Sequence, residues 1–167
     1  MIVQQFTGFL WGTASTILGG LALAFLFFLA REKWFPPPTV TGRWHIEMRF
    51  HRSSFKPYNN MKLRYVAMLW REGNCVRGTA EKVYEDSSTG KRDYVGNDRT
   101  RSVIDGHIDK RIFSRDRVTL HIVEDGHGRE STHFHDLTVQ RNQRMNGTFS
   151  AMAADAEGEA IWQRESF

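Results

Sequence analysis

A single cysteine, Cys75, stands among 167 residues, so no internal disulfide can form and nothing points to an oxidising compartment. No thiolate-stabilising setting surrounds it, and it reads as a small strand residue. Charge is absent from the first thirty residues: the 23 Lys and Arg begin at Arg31 and the 19 Asp and Glu at Glu32, so the net +4 belongs entirely to residues 31–167. Without a basic side chain ahead of it, the apolar run lacks the n-region of a cleaved signal. It also continues through Phe25, Phe27 and Phe28, past the Ala22-Leu23-Ala24 triplet where a cut would fall. Proline is scarce, and three of the four are consecutive, Pro36 to Pro38. Helical periodicity is nearly absent beyond them.

Familiar catalytic spacings are missing as well. There is no His-Glu-x-x-His and no second cysteine for a zinc site. Ser88-Thr89-Gly90-Lys91 has neither the leading glycine nor the following helix of a phosphate loop. Ser, His and Asp are plentiful, but no nucleophile sits in a recognisable setting. No enzyme activity, cofactor or metal is expected.

What is present first is a span. Phe6 to Ala30 forms a helix of roughly 37 Å at about 1.5 Å per residue, enough to cross a hydrocarbon core of about 30 Å. Trp11 and Trp34 lie near its ends, and Arg31 and Lys33 follow it while no basic residue precedes it, which directs the remainder of the chain to the cytoplasm. Within the span, Gly8, Gly12, Ser15 and Gly19 recur at spacings of four and three. Small side chains on one helix face let two helices approach closely in lipid, which predicts self-association into a homo-oligomer. Phe35-Pro36-Pro37-Pro38 ends the helix. The organisation is therefore an anchor at 1–34, a Pro-rich linker at 35–39 and a soluble domain at 40–167.

After Val40 the period becomes two. Trp44, Ile46, Met48 and Phe50 alternate with Arg43, His45, Glu47, Arg49 and His51, and "MKLRYVAML" and "RVTLHIVE" alternate likewise. Turn signals such as Glu72-Gly73-Asn74 and Asp125-Gly126 separate eight candidate strands, near 43–52, 61–71, 75–85, 99–109, 116–124, 131–140, 145–152 and 158–165. Asn146-Gly147 falls inside the seventh, as a turn or a bulge. The fold class is mainly β: a transmembrane helix, then an eight-stranded antiparallel up-and-down barrel, with a two-sheet sandwich as the alternative.

Gly42-Arg43-Trp44 resembles the Gly-x-Trp opening of lipocalin-like barrels, in which an arginine on the last strand, here Arg164, packs over the tryptophan. The whole pattern, an N-terminal membrane segment followed by a compact barrel, is similar to the two-transmembrane, β-strand-rich membrane effectors of cyclic-oligonucleotide-based antiphage signalling. That resemblance implies a barrel that binds a cyclic oligonucleotide, and membrane segments that then cluster and breach the inner membrane. A membrane-tethered carrier of a small apolar ligand and a non-catalytic scaffold are the other readings.

Seventeen of the 23 basic residues are arginines, whose planar fork suits phosphate, yet they are interleaved with acids as in Arg115-Asp116-Arg117. A compact anion fits this better than a DNA or RNA polymer. Tyr65 shares a side with Leu63 and Leu69, and Trp162 and Arg164 share one opposite to Ile161. Tyr65, Arg77, Tyr84 and Arg101 form the candidate ligand site, aromatics for stacking and arginines for phosphate. His133 and His135 point the same way on a strand, and His121, Asp125 and His127 are close in sequence. A common face does not make ligands converge, and these read as exposed histidines beside a turn.

Overall fold

The computed structural model describes residues 2–34, 38–111, 114–126, 129–140 and 143–167; side chains of the helix are described from Trp11 to Leu29. The chain divides into two compact units, Met1–Pro37 and Pro38–Phe167. Of the expected linker, Phe35 to Pro37 lie outside the described residues.

The first unit is one helix, α1 (Ile2–Trp34). Its stretch Trp11–Leu29 is long and apolar enough to cross a membrane. Every described side chain of it is exposed, including Ile17, Leu21, Phe25 and Phe28, so its apolar surface is left uncovered. Ser15 and Thr16 each turn their hydroxyl back onto the carbonyl of Gly12, at 2.9 Å, which satisfies both within the helix. A Cβ built on Gly12 or Gly19 meets nothing, so that flank is open to a partner.

The second unit is a closed barrel. Its strands are β1 (Gly42–Arg52), β2 (Lys62–Glu72), β3 (Cys75–Ser87), β4 (Gly90–Asp93), β5 (Arg101–Asp109), β6 (Arg117–Gly126), β7 (Arg129–Val139), β8 (Arg144–Ala151) and β9 (Ala156–Gln163). All pairings are antiparallel, in the order β2-β1-β9-β8-β7-β6-β5-β3, and β3 returns to β2 to close the ring. Eight strands make the barrel, as the alternation predicts, and the sandwich is excluded. The ninth, β4, is a short addition folded back on the end of β3. The sequence has no clean period between Asp86 and Asp98, which is why β4 escapes a reading by alternation. Asn146-Gly147 lies inside β8, opposite Thr138 and Leu137, and is not a turn.

The alternating apolar residues fill the interior. Trp44, Ile46 and Met48 of β1, Leu69 of β2, Ile104 of β5, Leu120 of β6, Leu137 of β7, Met145 of β8 and Trp162 of β9 are all fully buried. Closure needs strands to coil sharply, and inward glycines permit it. A Cβ on Gly106, Gly147 or Gly158 would sit 1.8–2.1 Å from a carbonyl oxygen of the adjacent strand.

One end of the barrel is sealed. There the Trp44 indole N–H donates to the Val40 carbonyl at 2.6 Å, and the Arg164 guanidinium lies 3.9 Å above the Trp44 ring. Arg164 also donates to the carbonyls of Thr39, Thr41 and Arg43 at 2.9–3.0 Å, tying the start of the domain to its last strand. This is the packing expected of Trp44 and Arg164 from the sequence.

At the opposite end lies the mouth, bordered by the short helical turns Lys56–Tyr58 and Ala153–Asp155 and by the β3–β4 hairpin. A bulge in β3 shapes it. Tyr65 pairs with Lys82 but Arg64 pairs with Tyr84, so Val83 is an extra residue and the inside-outside order of β3 reverses there.

Candidate functional site

The reversal at Val83 has a chemical result. Residues three apart on a regular strand face opposite ways, whereas the bulge aims Lys82 and Glu85 into the same space. They meet as an ion pair at 2.9 Å inside the mouth. The Tyr94 hydroxyl, from the segment after β4, donates to the same Glu85 oxygen at 3.0 Å, and Lys82 lies 5.2 Å from the centre of the Tyr94 ring. Burial by itself would discharge Lys82, but the Glu85 hydrogen bond and the charges of Glu124 and Glu85 outweigh it, holding the ammonium above its ordinary pKa. Glu85, in turn, is held below its ordinary pKa: burial opposes its charge, and the bond from Lys82 more than compensates.

Across the mouth, β2, β6 and β7 bring a second group together. The buried Tyr65 hydroxyl donates to Glu124 Oε2 at 2.7 Å. Burial, and then the Glu124 charge, push the Tyr65 phenol well above its usual range, so it stays a donor. His133 Nε2 lies 3.9 Å from the same Glu124 oxygen and 3.3 Å from the Ser131 hydroxyl. Burial lowers the pKa of His133 despite the nearby Glu124 charge, so the imidazole is neutral at pH 7. Both Ser131 and Glu124 approach one ring nitrogen, and among the described residues Nδ1 of His133 is buried without a partner, so the three are not strung as a Ser-His-acid relay.

Between these groups is a cavity of about 280 Å³. Its polar wall is Tyr65, Lys82, Glu85, Glu124, Ser131 and His133; its apolar side is Phe50, Met61, Leu63 and Ala151. Deeper, the Trp162 indole N–H donates to His135 Nδ1 at 3.3 Å, and the His135 ring stacks on Phe149. Full burial, helped by His133, drives the His135 pKa down to about 3. A larger groove, about 520 Å³, runs along the outer wall past Phe134 and Glu159. It is an open depression between exposed side chains, whereas the mouth is where buried ionisable groups converge, and the mouth is the candidate site.

Of the residues expected to bind ligand, Tyr65 lines this cavity. The structure does not bring the other three to it. Arg77 faces outward, between Glu72 at 3.5 Å and Asp105 at 3.7 Å. Arg101 is exposed on the outer face, across from Glu81. Tyr84 follows the bulge, and its ring lies under the Arg64 guanidinium at 5.1 Å. Of the helix-association residues, Gly12, Ser15 and Gly19 lie in the described, exposed part of α1, and the surroundings of Gly8 lie outside it. His133 and His135 are buried, against the expectation of exposed histidines, because inward parity on β7 carries both into the interior. His121 and Asp125 are exposed and His127 lies outside the described residues. Among the described residues, no three His, Cys, Asp or Glu side chains converge as metal ligands do. The groups that sequence reasoning missed are Lys82, Glu85, Glu124 and Ser131. The signal for Glu124 was its shared parity with the inward Val118, Leu120 and Ile122.

The chain matches no protein-family model and no curated protein in sequence.

Proposed function

We propose that the chain is a membrane-tethered receptor whose barrel mouth takes up a small polar molecule. The observation that carries this is the polar cavity at one end of a barrel whose described interior is otherwise lined by buried, mostly apolar side chains. Eight closed strands need no Lys82, Glu85 or Glu124 in their interior to be stable, and burying ionisable groups costs free energy that an apolar filling avoids. The packed lower barrel argues against a lipocalin-like carrier of haem or a long acyl chain, for which a deep apolar chamber is required. The anchor is α1, crossing once, and Arg31 and Lys33 favour a cytoplasmic barrel.

The antiphage effector reading keeps this receptor and adds an output: occupancy drives copies together through Gly12, Ser15 and Gly19 until the inner membrane fails. The exposed small-residue flank of α1 favours it. A cyclic oligonucleotide exceeds the cavity, so its phosphates would extend over the rim, where Lys91 and Arg92 of β4 are exposed. The test is a thermal-shift screen of the full chain in lipid nanodiscs against cyclic dinucleotides and trinucleotides, small polar metabolites, fatty acids and haem. A ligand bound only by the folded state raises the midpoint, by about 2.7 kcal/mol of stabilisation at 100 times its Kd. A polar ligand whose shift disappears in Ala151→Phe, which fills the mouth, supports the receptor. A shift that survives Ala151→Phe moves the site elsewhere, and a shift from fatty acid or haem overturns the reading in favour of the carrier.

A further inference from the structure

The charges in the mouth do not balance, and the imbalance names a ligand class. Lys82 pairs with Glu85 at 2.9 Å and also feels the Glu124 charge, so one ammonium serves two carboxylates. Glu124 has only 8% of its surface exposed, yet among the described residues no Lys or Arg nitrogen lies within 4.0 Å of it. Its Oε2 takes the Tyr65 hydrogen bond and faces His133, a neutral ring; Oε1 has no hydrogen bond from the described residues. Buried carboxylates are ordinarily paired with a cation, because desolvation of the lone charge is costly. With Lys82, Glu85, Glu124 and a neutral His133, the lining carries a net charge of −1. A phosphate or carboxylate ligand would add to that charge, and a cation would cancel it.

We propose that the mouth binds a small amphipathic amine, its ammonium on Glu124 and its apolar body against Phe50, Met61 and Leu63. This rests on the receptor reading and specifies its ligand. The Ser131 hydroxyl, on the same wall, offers the ammonium a further acceptor. Phe50, Tyr58 and Phe55 form an edge-to-face series, with ring centres 6.4 and 5.1 Å apart, beside the apolar side. A flat ring fits such a surface. The cavity of about 280 Å³ holds about nine waters at about 30 Å³ each, which limits the ligand to a single ring or a short chain.

The test uses three probes of one shape: phenethylamine, phenethyl alcohol and 3-phenylpropionate, titrated calorimetrically into the full chain in zwitterionic nanodiscs. Phenethylamine binds, the alcohol binds at least about ten-fold more weakly, and the carboxylate not at all. Glu124→Gln, nearly identical in shape, loses the amine about ten-fold or more and also corrects for partition into lipid. Lys82→Met, which removes the competing ammonium, binds the amine several-fold more tightly and keeps the proposal testable if Glu124→Gln fails to fold. Equal or tighter binding of the carboxylate, an amine affinity unchanged in Glu124→Gln or weakened in Lys82→Met, or no heat from any probe overturns it. A polar ligand from the wider screen that is blocked by Ala151→Phe while the amine gives no heat would leave the receptor standing and remove only the amine. No shift from any ligand, together with no amine heat, removes both.

Discussion

His135 is held neutral among rings, and this makes the barrel sensitive to acid in a defined window. In the unfolded chain the imidazole takes up a proton below its ordinary pKa of 6.5; in the folded barrel it does so only near pH 3. The unfolded state therefore binds more protons between those limits, and stability falls as pH drops through them, by at most about 1.4 kcal/mol per pH unit for this residue. Above pH 6.5 its slope fades, as the unfolded imidazole loses its proton as well. His133 is shifted in the same direction and adds to it, while Glu47 and Glu85, lowered from 4.5, act only at the acid end. Urea unfolding followed by tryptophan fluorescence should show a lower midpoint at pH 5 than at pH 7, and His135→Phe should flatten that slope whatever its effect on absolute stability. An unchanged slope would mean that His135 is not buried neutral. These two histidines also show what a sequence leaves open. Their common side was readable from a spacing of two, but which side faced inward depended on neighbours that fix the register.

Strands are the scale at which the sequence was most informative. All eight barrel strands lie within about two residues of their expected bounds at both ends, since alternation and turn residues are local signals. What those local signals miss is instructive. At Val83 one extra residue reverses parity, so counting by twos along β3 carries Lys82 inward correctly and then misplaces Tyr84 and Glu85. A bulge is set by pairing with β2, which no local count reveals. Arg77 and Arg101 were candidates on chemistry, and their outward side becomes plain once β3 and β5 are in register, at Arg77 opposite Asp105. Glycine has a comparable dependence on the neighbouring strand. At Gly158 an added methyl would lie 1.9 Å from the Arg49 carbonyl oxygen, and the obstacle is backbone, which cannot swing away. Gly158→Ala should cost more than about 3 kcal/mol, at the upper end for single substitutions. Gly12→Ala in the helix, which meets nothing, should leave barrel stability unchanged. Equal denaturation midpoints for the two variants would refute the close approach at β9.

For the molecule as a whole, two units with different surfaces are joined in one chain. The barrel satisfies its backbone by ring closure and its apolar side chains by packing, while the described side chains of α1 leave an apolar surface uncovered, on a stretch long enough to cross a membrane. Association between copies, if driven by helix packing, depends on Gly12, Ser15 and Gly19. Gly19→Leu should abolish cross-linked oligomers of the full chain in membranes and leave ligand shifts of the barrel intact. Oligomers that persist in Gly19→Leu would assign association to other surfaces. The division into an apolar helix and a barrel was legible because composition changes abruptly at Arg31; the polar mouth was not, because it depends on charges meeting across strands from distant parts of the chain.

Among the described strands, β4 alone has a flank with no paired neighbour. That flank is four residues long, Gly90–Asp93, and Lys91, Arg92 and Asp93 all carry charge. Fibril growth by templated hydrogen bonding would have to start there, on a stub too brief and too hydrated to seed it. Crowding many copies together should therefore concentrate the barrels without turning them to amyloid.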